Sequence, residues 1–467
     1  MYHDKKTGLW LPEPRNVCSM RNNQGTGAGT SAGTGGALTG GAGGAAAPTF
    51  TFEWKVTGGS YVEMADEDTL TPTNLSGKQL ILAITPSAEV ELETVATSRP
   101  NLLAEDGDNT GTLTASTQNE VAFDMATDQL AGIVVVTLTI DGTDYTFTFH
   151  CFQYAGSLRA INSGASATTG IVVDGVDIGD AAAGYASLYD ASAASSDDDV
   201  IVATGAVADS TAVTITADVF VDVADSCRAG VAYDEIANGY YLSAQVTLQS
   251  LSIVIRHVGF FAGGGASTAL LATDDPAGDG ATYIIESCPF YKISNFQCFA
   301  TLSTSGYNVH ATIRNCVMYC AFSTSGIVLN GDANTIVAEN CTVFGLSNSP
   351  KGIWNNSSSG VLVAKNCVVL GSFTSNDYVT NGGSLNTGDN NVGNTSGNVA
   401  AACATTSYTT TAAAYFADTT GGTEDAHCVS AAVNDDFAGV DLSANFDLDV
   451  DGELRTAWYA GADFVAA

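Results

Sequence analysis

The chain reads as an all-β protein: a small antiparallel β-sandwich followed by a parallel β-helix with a short capping helix. Three observations predict this. Gly, Ala, Ser, Thr, Val and Asn dominate while charged residues make up only 14% of the chain, which suits short strands and turns rather than helices. One six-residue pattern recurs four times in the second half, at Ile285–Phe290, Ile313–Met318, Ala338–Val343 and Ala364–Val369, with its cysteines 28, 25 and 26 residues apart. A fixed residue at that interval means stacked coils, each burying its apolar edge on the next. Residues 48–154 instead show apolar/polar alternation broken by hairpin turns.

Residues 1–24 set four basic residues (Lys5, Lys6, Arg15, Arg21) against two acidic ones (Asp4, Glu13) and carry Trp10 and Leu11, in a chain whose net charge is −35. Residues 25–47 are almost wholly Gly, Ala, Thr and Ser, a flexible tether. Together they read as an anchoring arm on a linker. No apolar h-region follows the N-terminus, so no secretory signal is expected, and no apolar run approaches the ~20 residues of a membrane span. The acidic surface disfavours nucleic acid and anionic membranes.

In residues 48–154, Phe50, Phe52, Trp54 and Val56 alternate with polar residues, and Leu80–Ile84 is a short buried strand. Ile133–Ile140 and Tyr145–Phe149 flank Asp141-Gly142-Thr143-Asp144, a strong hairpin signal. A connector is expected over 155–180 and the β-helix over 181–467. Tyr185, Leu188 and Tyr189 fall on one helical face over 180–191, with Asp180 as N-cap, so a helix should cap the open end of the solenoid.

The repeat assigns each slot of a coil. Ile255, Ile285, Ile313, Ala338 and Ala364 point inward. The next slot, Arg256, Glu286, Arg314, Glu339 and Lys365, is always charged with alternating sign and is expected to face solvent. In-register strands place these side chains ~4.8 Å apart. Each exposed pair is worth ~0.5 kcal/mol, and its value lies in register, because a one-coil slip sets like against like. His257, Ser287, Asn315, Asn340 and Asn366 follow at a bend, where Asn tolerates left-handed backbone and can form a ladder. Val258 heads the column Cys288, Cys316, Cys341 and Cys367, so that slot requires a small apolar group. Parallel neighbours in a column suit a disulfide poorly, and the 11 cysteines lack paired zinc spacing. Gly-led runs at Gly326–Leu329 and Gly352–Trp354 add a third strand to each coil.

Candidate chemistry is sparse. Asp274-Asp275 and Asp435-Asp436 are adjacent acids in a chain holding 50, and Glu286 with Glu339 belongs to the charged column, so no catalytic residue is assigned. Asp447, Asp449 and Asp451 match the opening of a calcium loop, but Trp458 stands where its closing glutamate belongs. Beyond calcium, no cofactor is expected.

Two resemblances bear on function. Asn74-Leu75-Ser76-Gly77, Gly111–Ala115 and Leu130-Ala131-Gly132 before the final hairpin resemble the immunoglobulin-like domain of phage baseplate and tail-fibre proteins. Gly184–Leu188, Asp197-Asp198-Asp199, Val200-Ile201-Val202, Val254–Val258 and the closing Asp449–Arg455 with Gly461-Ala462-Asp463 resemble right-handed parallel β-helix proteins of phages and marine bacteria. The resemblance implies a virion protein made in the host cytoplasm, a tail spike or fibre. Residues 1–47 and the sandwich would bind other virion proteins, the chain would form a homotrimer, and the β-helix would meet a host-surface glycan. A head fibre or capsid decoration protein is the alternative; a polysaccharide lyase or glycoside hydrolase is a third.

Overall fold

The computed structural model describes residues 2–3, 10–11 and 47–463, apart from 108, 163–165, 206–207, 231, 233–238, 263–268, 275, 293–296, 302–306, 322–323, 381–387, 395–402, 404–405, 421–422, 431–432 and 434–435. Two units emerge, Met1–Ala47 and Pro48–Ala467. In the first, Tyr2–His3 pairs antiparallel with Trp10–Leu11; the rest of the expected arm and linker lies outside the described residues.

The second unit opens with two five-stranded sheets face to face. One orders Val62–Met64, Phe50–Val56, Leu80–Pro86, Asn119–Met125 and Leu103–Glu105; the other orders Thr69–Asn74, Thr143–Phe152, Ala131–Ile140, Val90–Thr97 and Gly111–Leu113. Alternation puts Leu80, Leu82, Ile84, Val134, Val136, Leu138, Phe147 and Phe149 into one core. The expected hairpin forms around a two-residue turn, with Asp141 and Gly142 at φ 47 and 73. Only aspartate, asparagine or glycine reaches that backbone region readily. One edge departs from the antiparallel rule: Thr69–Asn74 joins Thr143–Phe152 in parallel.

The rest is a parallel β-helix. Its first column of strands is Leu158–Ile161, Asp199–Ala203, Val219–Val223, Ser252–Arg256, Ala281–Glu286, Val309–Arg314, Thr335–Glu339 and Val361–Lys365, all parallel and in register. Two further columns share a 14-stranded sheet and join where the long strand Thr342–Asn355 serves both. The stack therefore opens at Leu158, inside the stretch read as a connector. It also runs past the repeat, since Lys365 bridges Asp389, Val368–Thr380 pairs with Asn391–Gly393, and Asn391–Gly393 pairs in turn with Ser407–Thr409.

The inward columns fall as the repeat predicts. Val258, Cys288, Cys316, Cys341 and Cys367 are fully buried, as are Phe260, Phe290, Met318, Val343 and Val369. The Phe260 and Phe290 rings stack 4.5 Å apart at 7°. Each column thiol lies against the carbonyl of the preceding coil, Cys341 Sγ at 3.3 Å from Ile313 O and Cys367 Sγ at 3.5 Å from Ala338 O.

The capping helix is shorter than expected and starts later. It spans Leu188–Ala193, and Ser187, not Asp180, is its N-cap, accepting the Asp190 amide at 3.1 Å. Asp180 instead accepts the Gly170 amide, and Gly184–Tyr185 joins the sheet as a strand. Leu188 and Ala191 enter the core, while Tyr189 is half exposed. No helix among the described residues is long and apolar enough to cross a membrane.

The sandwich packs on the outer face of the first column, through Leu130, Ala131 and Phe152 against Leu158, Val200 and Val202. The C-terminal segment folds back over the outer face of the second column. There Tyr415, Phe416, Phe437 and Ala462 cover Tyr291, Tyr319, Phe344 and Leu370.

Candidate functional site: a three-way junction along the charged column

Sandwich, β-helix and C-terminal segment meet along the bend between the first two columns, where the charged and Asn slots lie. The charged slot does not face solvent. Arg256, Glu286, Arg314 and Glu339 are each 1–4% exposed; only Lys365 reaches out, its side chain 38% exposed. The alternation is right and its setting is corrected: neighbouring elements cover what an isolated helix would have left open.

The column is longer than the repeat suggested. Asp222 precedes Arg256 in register, and Asp389 follows Lys365, so the signs alternate over seven coils. Arg256 reaches Asp222 at 3.6 Å and Glu286 at 3.3 Å, and Arg314 reaches Glu286 at 2.6 Å. Lys365 approaches Glu339 at 3.5 Å. Lateral partners complete it. Asp174 pairs with Arg256 (3.0 Å) and Arg228 (2.7 Å), and Asp128 of the sandwich pairs with Arg314 at 2.9 Å. Asn445 of the C-terminal segment donates to both Glu339 oxygens. Burial alone would raise the Asp174 and Glu286 carboxyls. The facing guanidiniums, Arg256 first for Asp174 and Arg314 first for Glu286, outweigh it and hold both below their usual range.

Beside the charges, His257, Ser287, Asn315, Asn340, Asn366 and also Asn390 hold φ between 49 and 58. This left-handed bend is why asparagine recurs there. Asn366 Nδ2 donates to Asn340 Oδ1 at 3.1 Å, one rung of a ladder. The same amides grip the returning chain: Asn315 donates to Leu448 O, Asn340 to Tyr459 O (2.9 Å) and Gly461 O (3.1 Å), and Asn366 to Val440 O (2.8 Å). In return the Val440 and Gly461 amides donate to Asn366 oxygens. Residues 437–463 are thus a strap held by the asparagine column.

The calcium-loop aspartates do not converge. Asp447 takes a bidentate pair from Arg99 of the sandwich, at 2.7 and 2.8 Å, both side chains buried. Asp449 Oδ1 accepts the amides of Asp451 and Glu453, an Asx turn. Asp451 turns to His427, its Oδ2 2.8 Å from Nε2. Burial raises the Asp449 carboxyl to about 7, and the Asp463 carboxyl is likewise pushed up by its own burial. Burial would lower the His427 imidazole, but Asp425 and Asp451 outweigh it and lift it to about 11. Of the loop acid pairs, Asp275 and Asp435 lie outside the described residues.

No protein-family model and no curated protein matches this chain. Of the resemblance, the parallel β-helix is what the structure bears out.

Two pockets of about 350 Å³ flank the junction. One has Tyr154, Phe220, Gln129, Asp218 and Ser252 in its wall, between the sandwich loops and the first column. The other lies beside Arg99, Asp174, Arg228 and Asp451. Sequence reasoning missed Asp222, Asp389, Asp128, Arg99 and Asp174. A signal existed for two of them. Asp389-Asn390-Asn391-Val392 repeats the charge-Asn-x-Val order of Lys365-Asn366-Cys367-Val368, and Val219–Val223 is a strand with Asp222 in the charged slot. The lateral partners had none, since they come from elements with no repeat.

Proposed function

We propose that this chain is a structural virion protein of a tailed phage, a tail spike or fibre. Its N-terminal region attaches it to the particle, and the β-helix meets a host-surface glycan. The observation that carries this reading is mechanical. The sandwich is fixed to the β-helix by a shared apolar core and by the Asp128–Arg314 pair, and to the strap by the Arg99–Asp447 pair, so load on one passes to the other. Carboxylates along the junction are engaged by arginines and backbone amides, an arrangement suited to rigidity rather than to proton transfer.

The pocket holding Tyr154 and Phe220 beside Gln129, Asp218 and Ser252 suits a sugar, since rings offer apolar faces and the amide, carboxylate and hydroxyl offer hydrogen bonds. Gold-labelled antibody against the chain, viewed on intact particles, tests the assignment. Label at the tail is expected; label confined to the head makes it a head fibre, and unlabelled particles refute a virion role. Sedimentation of the purified chain should give a trimer. Host polysaccharide should bind and stay full length on long incubation; shortening would make the protein a depolymerase.

A further inference from the structure

The C-terminal segment gathers three metal-type donors that the calcium-loop reading did not group. His427 lies on the strand Asp425–Cys428, Asp451 on the turn after Val450, and Asp463 at the end of the strap. One ligand atom from each lies within 4.8 Å of the other two. Two further observations point to a cation. Asp463 is only 6% exposed, yet among the described residues it forms no ion pair; its Oδ2 accepts the Cys428 amide at 2.8 Å. Its positive neighbours, His427 and Arg455, act on it only through space, and a buried carboxylate without a closer cation is costly. Behind the imidazole, Asp425 Oδ1 bonds Nδ1, which leaves Nε2 facing Asp451. A carboxylate behind the imidazole is the usual support of a metal-ligating histidine.

We propose that His427, Asp451 and Asp463 form a binding site for a zinc-type, first-row divalent cation. The donor set decides the class. One imidazole nitrogen and two carboxylates suit zinc and its neighbours, whereas calcium takes six to eight oxygens. Any proton on Nε2 passes to solvent as the ion binds. The ion would tie the strand carrying His427 to both the turn and the end of the strap, and so close the segment covering the second column. The site is independent of any virion role.

The test uses the full chain, stripped with chelator and titrated with zinc chloride by calorimetry. One zinc per chain and a thermal midpoint raised by a few degrees are expected. His427→Gln and Asp463→Asn should each weaken binding at least about tenfold. Unchanged affinity in both variants, or no saturable site, overturns the proposal. Because either change could loosen the segment, cobalt(II) bound to the unaltered chain supplies a second readout. Weak visible bands without thiolate charge transfer fit nitrogen and oxygen donors; a thiolate band would place the ion on cysteines and overturn the assignment. Calcium in tenfold excess should leave zinc bound, and its displacement would equally overturn it.

Discussion

Replacing Asn340 tests whether the asparagine column holds the strap. Its side chain is fully buried and its backbone sits at φ 49. Nδ2 donates to Tyr459 O and Gly461 O, and Oδ1 accepts from Asn366. Removing the amide deletes three hydrogen bonds at about 0.5–1.5 kcal/mol each. Other bonds soften the loss: Gly461 O also accepts from Arg455 at 3.2 Å, and Asn366 keeps Val440. The expected cost is therefore about 1–4 kcal/mol. Alanine adds left-handed backbone strain of about 1–2 kcal/mol. Glycine avoids that strain but frees the unfolded chain by about 0.4–1 kcal/mol. Asn340→Ala should thus lie about 1 kcal/mol below Asn340→Gly, and both below the native chain. Urea midpoints of the full-length variants give the ranking, and hydrogen exchange locates the loss. The Gly461 amide, bonded to Asn366 O, and the Gly439 amide, bonded to Trp458 O, should exchange faster in both variants. A glycine variant as stable as the native chain, with exchange over 437–463 unchanged, would refute the reasoning.

Three other perturbations probe the junction. Glu286→Gln leaves Arg256 and Arg314 buried without their shared carboxylate and should cost about 3–5 kcal/mol in a urea titration. The Glu286 carboxyl titrates below its usual 4.5 when folded, so its stabilisation is whole above pH 4.5 and fades as pH falls through the lower folded value. The native urea midpoint should accordingly drop more steeply below pH 4.5 than that of the variant. Arg99→Met strands Asp447 in a buried place; a loss of about 3–5 kcal/mol is expected, with new proteolytic cuts confined to 437–463. Cys316→Val should cost under about 1.5 kcal/mol in thermal unfolding, because Val258 already fills the equivalent slot, whereas Cys316→Asp should abolish folding.

What the sequence revealed follows the range of its signals. Slots set by repetition were legible: the inward Ile and Cys columns, the left-handed Asn bend and the alternation of charge all lie where the pattern put them. The helix was misplaced because Tyr185, Leu188 and Tyr189 share a helical period, yet Gly184 and Tyr185 find a strand partner in Ala160 and Ile161. Sheet pairing overrode the local period. Burial of the charged slot was not legible, since it depends on a strap more than 70 residues further along the chain from Asn366 and on a sandwich loop at Asp128. Nothing local in Arg314 announces either. The His427 cluster was hidden for the same reason: its donors are scattered in sequence and meet only when the strap docks.

Burial changes what the charged column does. In water an alternating pair is worth a few tenths of a kcal/mol. Behind the strap and sandwich, at an effective dielectric of about 20 and ~4.8 Å spacing, each contact is worth roughly 3 kcal/mol in Coulomb energy before desolvation. A one-coil slip reverses the sign of every contact. The cysteine column cannot guard against such a slip, because Cys288, Cys316, Cys341 and Cys367 are interchangeable. Alternation has its own blind spot: a slip of two coils restores opposite charges. The lateral partners remove it. Asp174 serves Arg256, Asp128 serves Arg314, and Asn445 serves Glu339, each from a fixed place outside the stack. Shifted by two coils, Lys365 would have to answer Asp128, and Asn445 would meet Asp389 in place of Glu339. Lysine lacks the forked guanidinium with which Arg314 contacts both Asp128 and Glu286. Repetition builds the coils, and the unrepeated elements on either side number them.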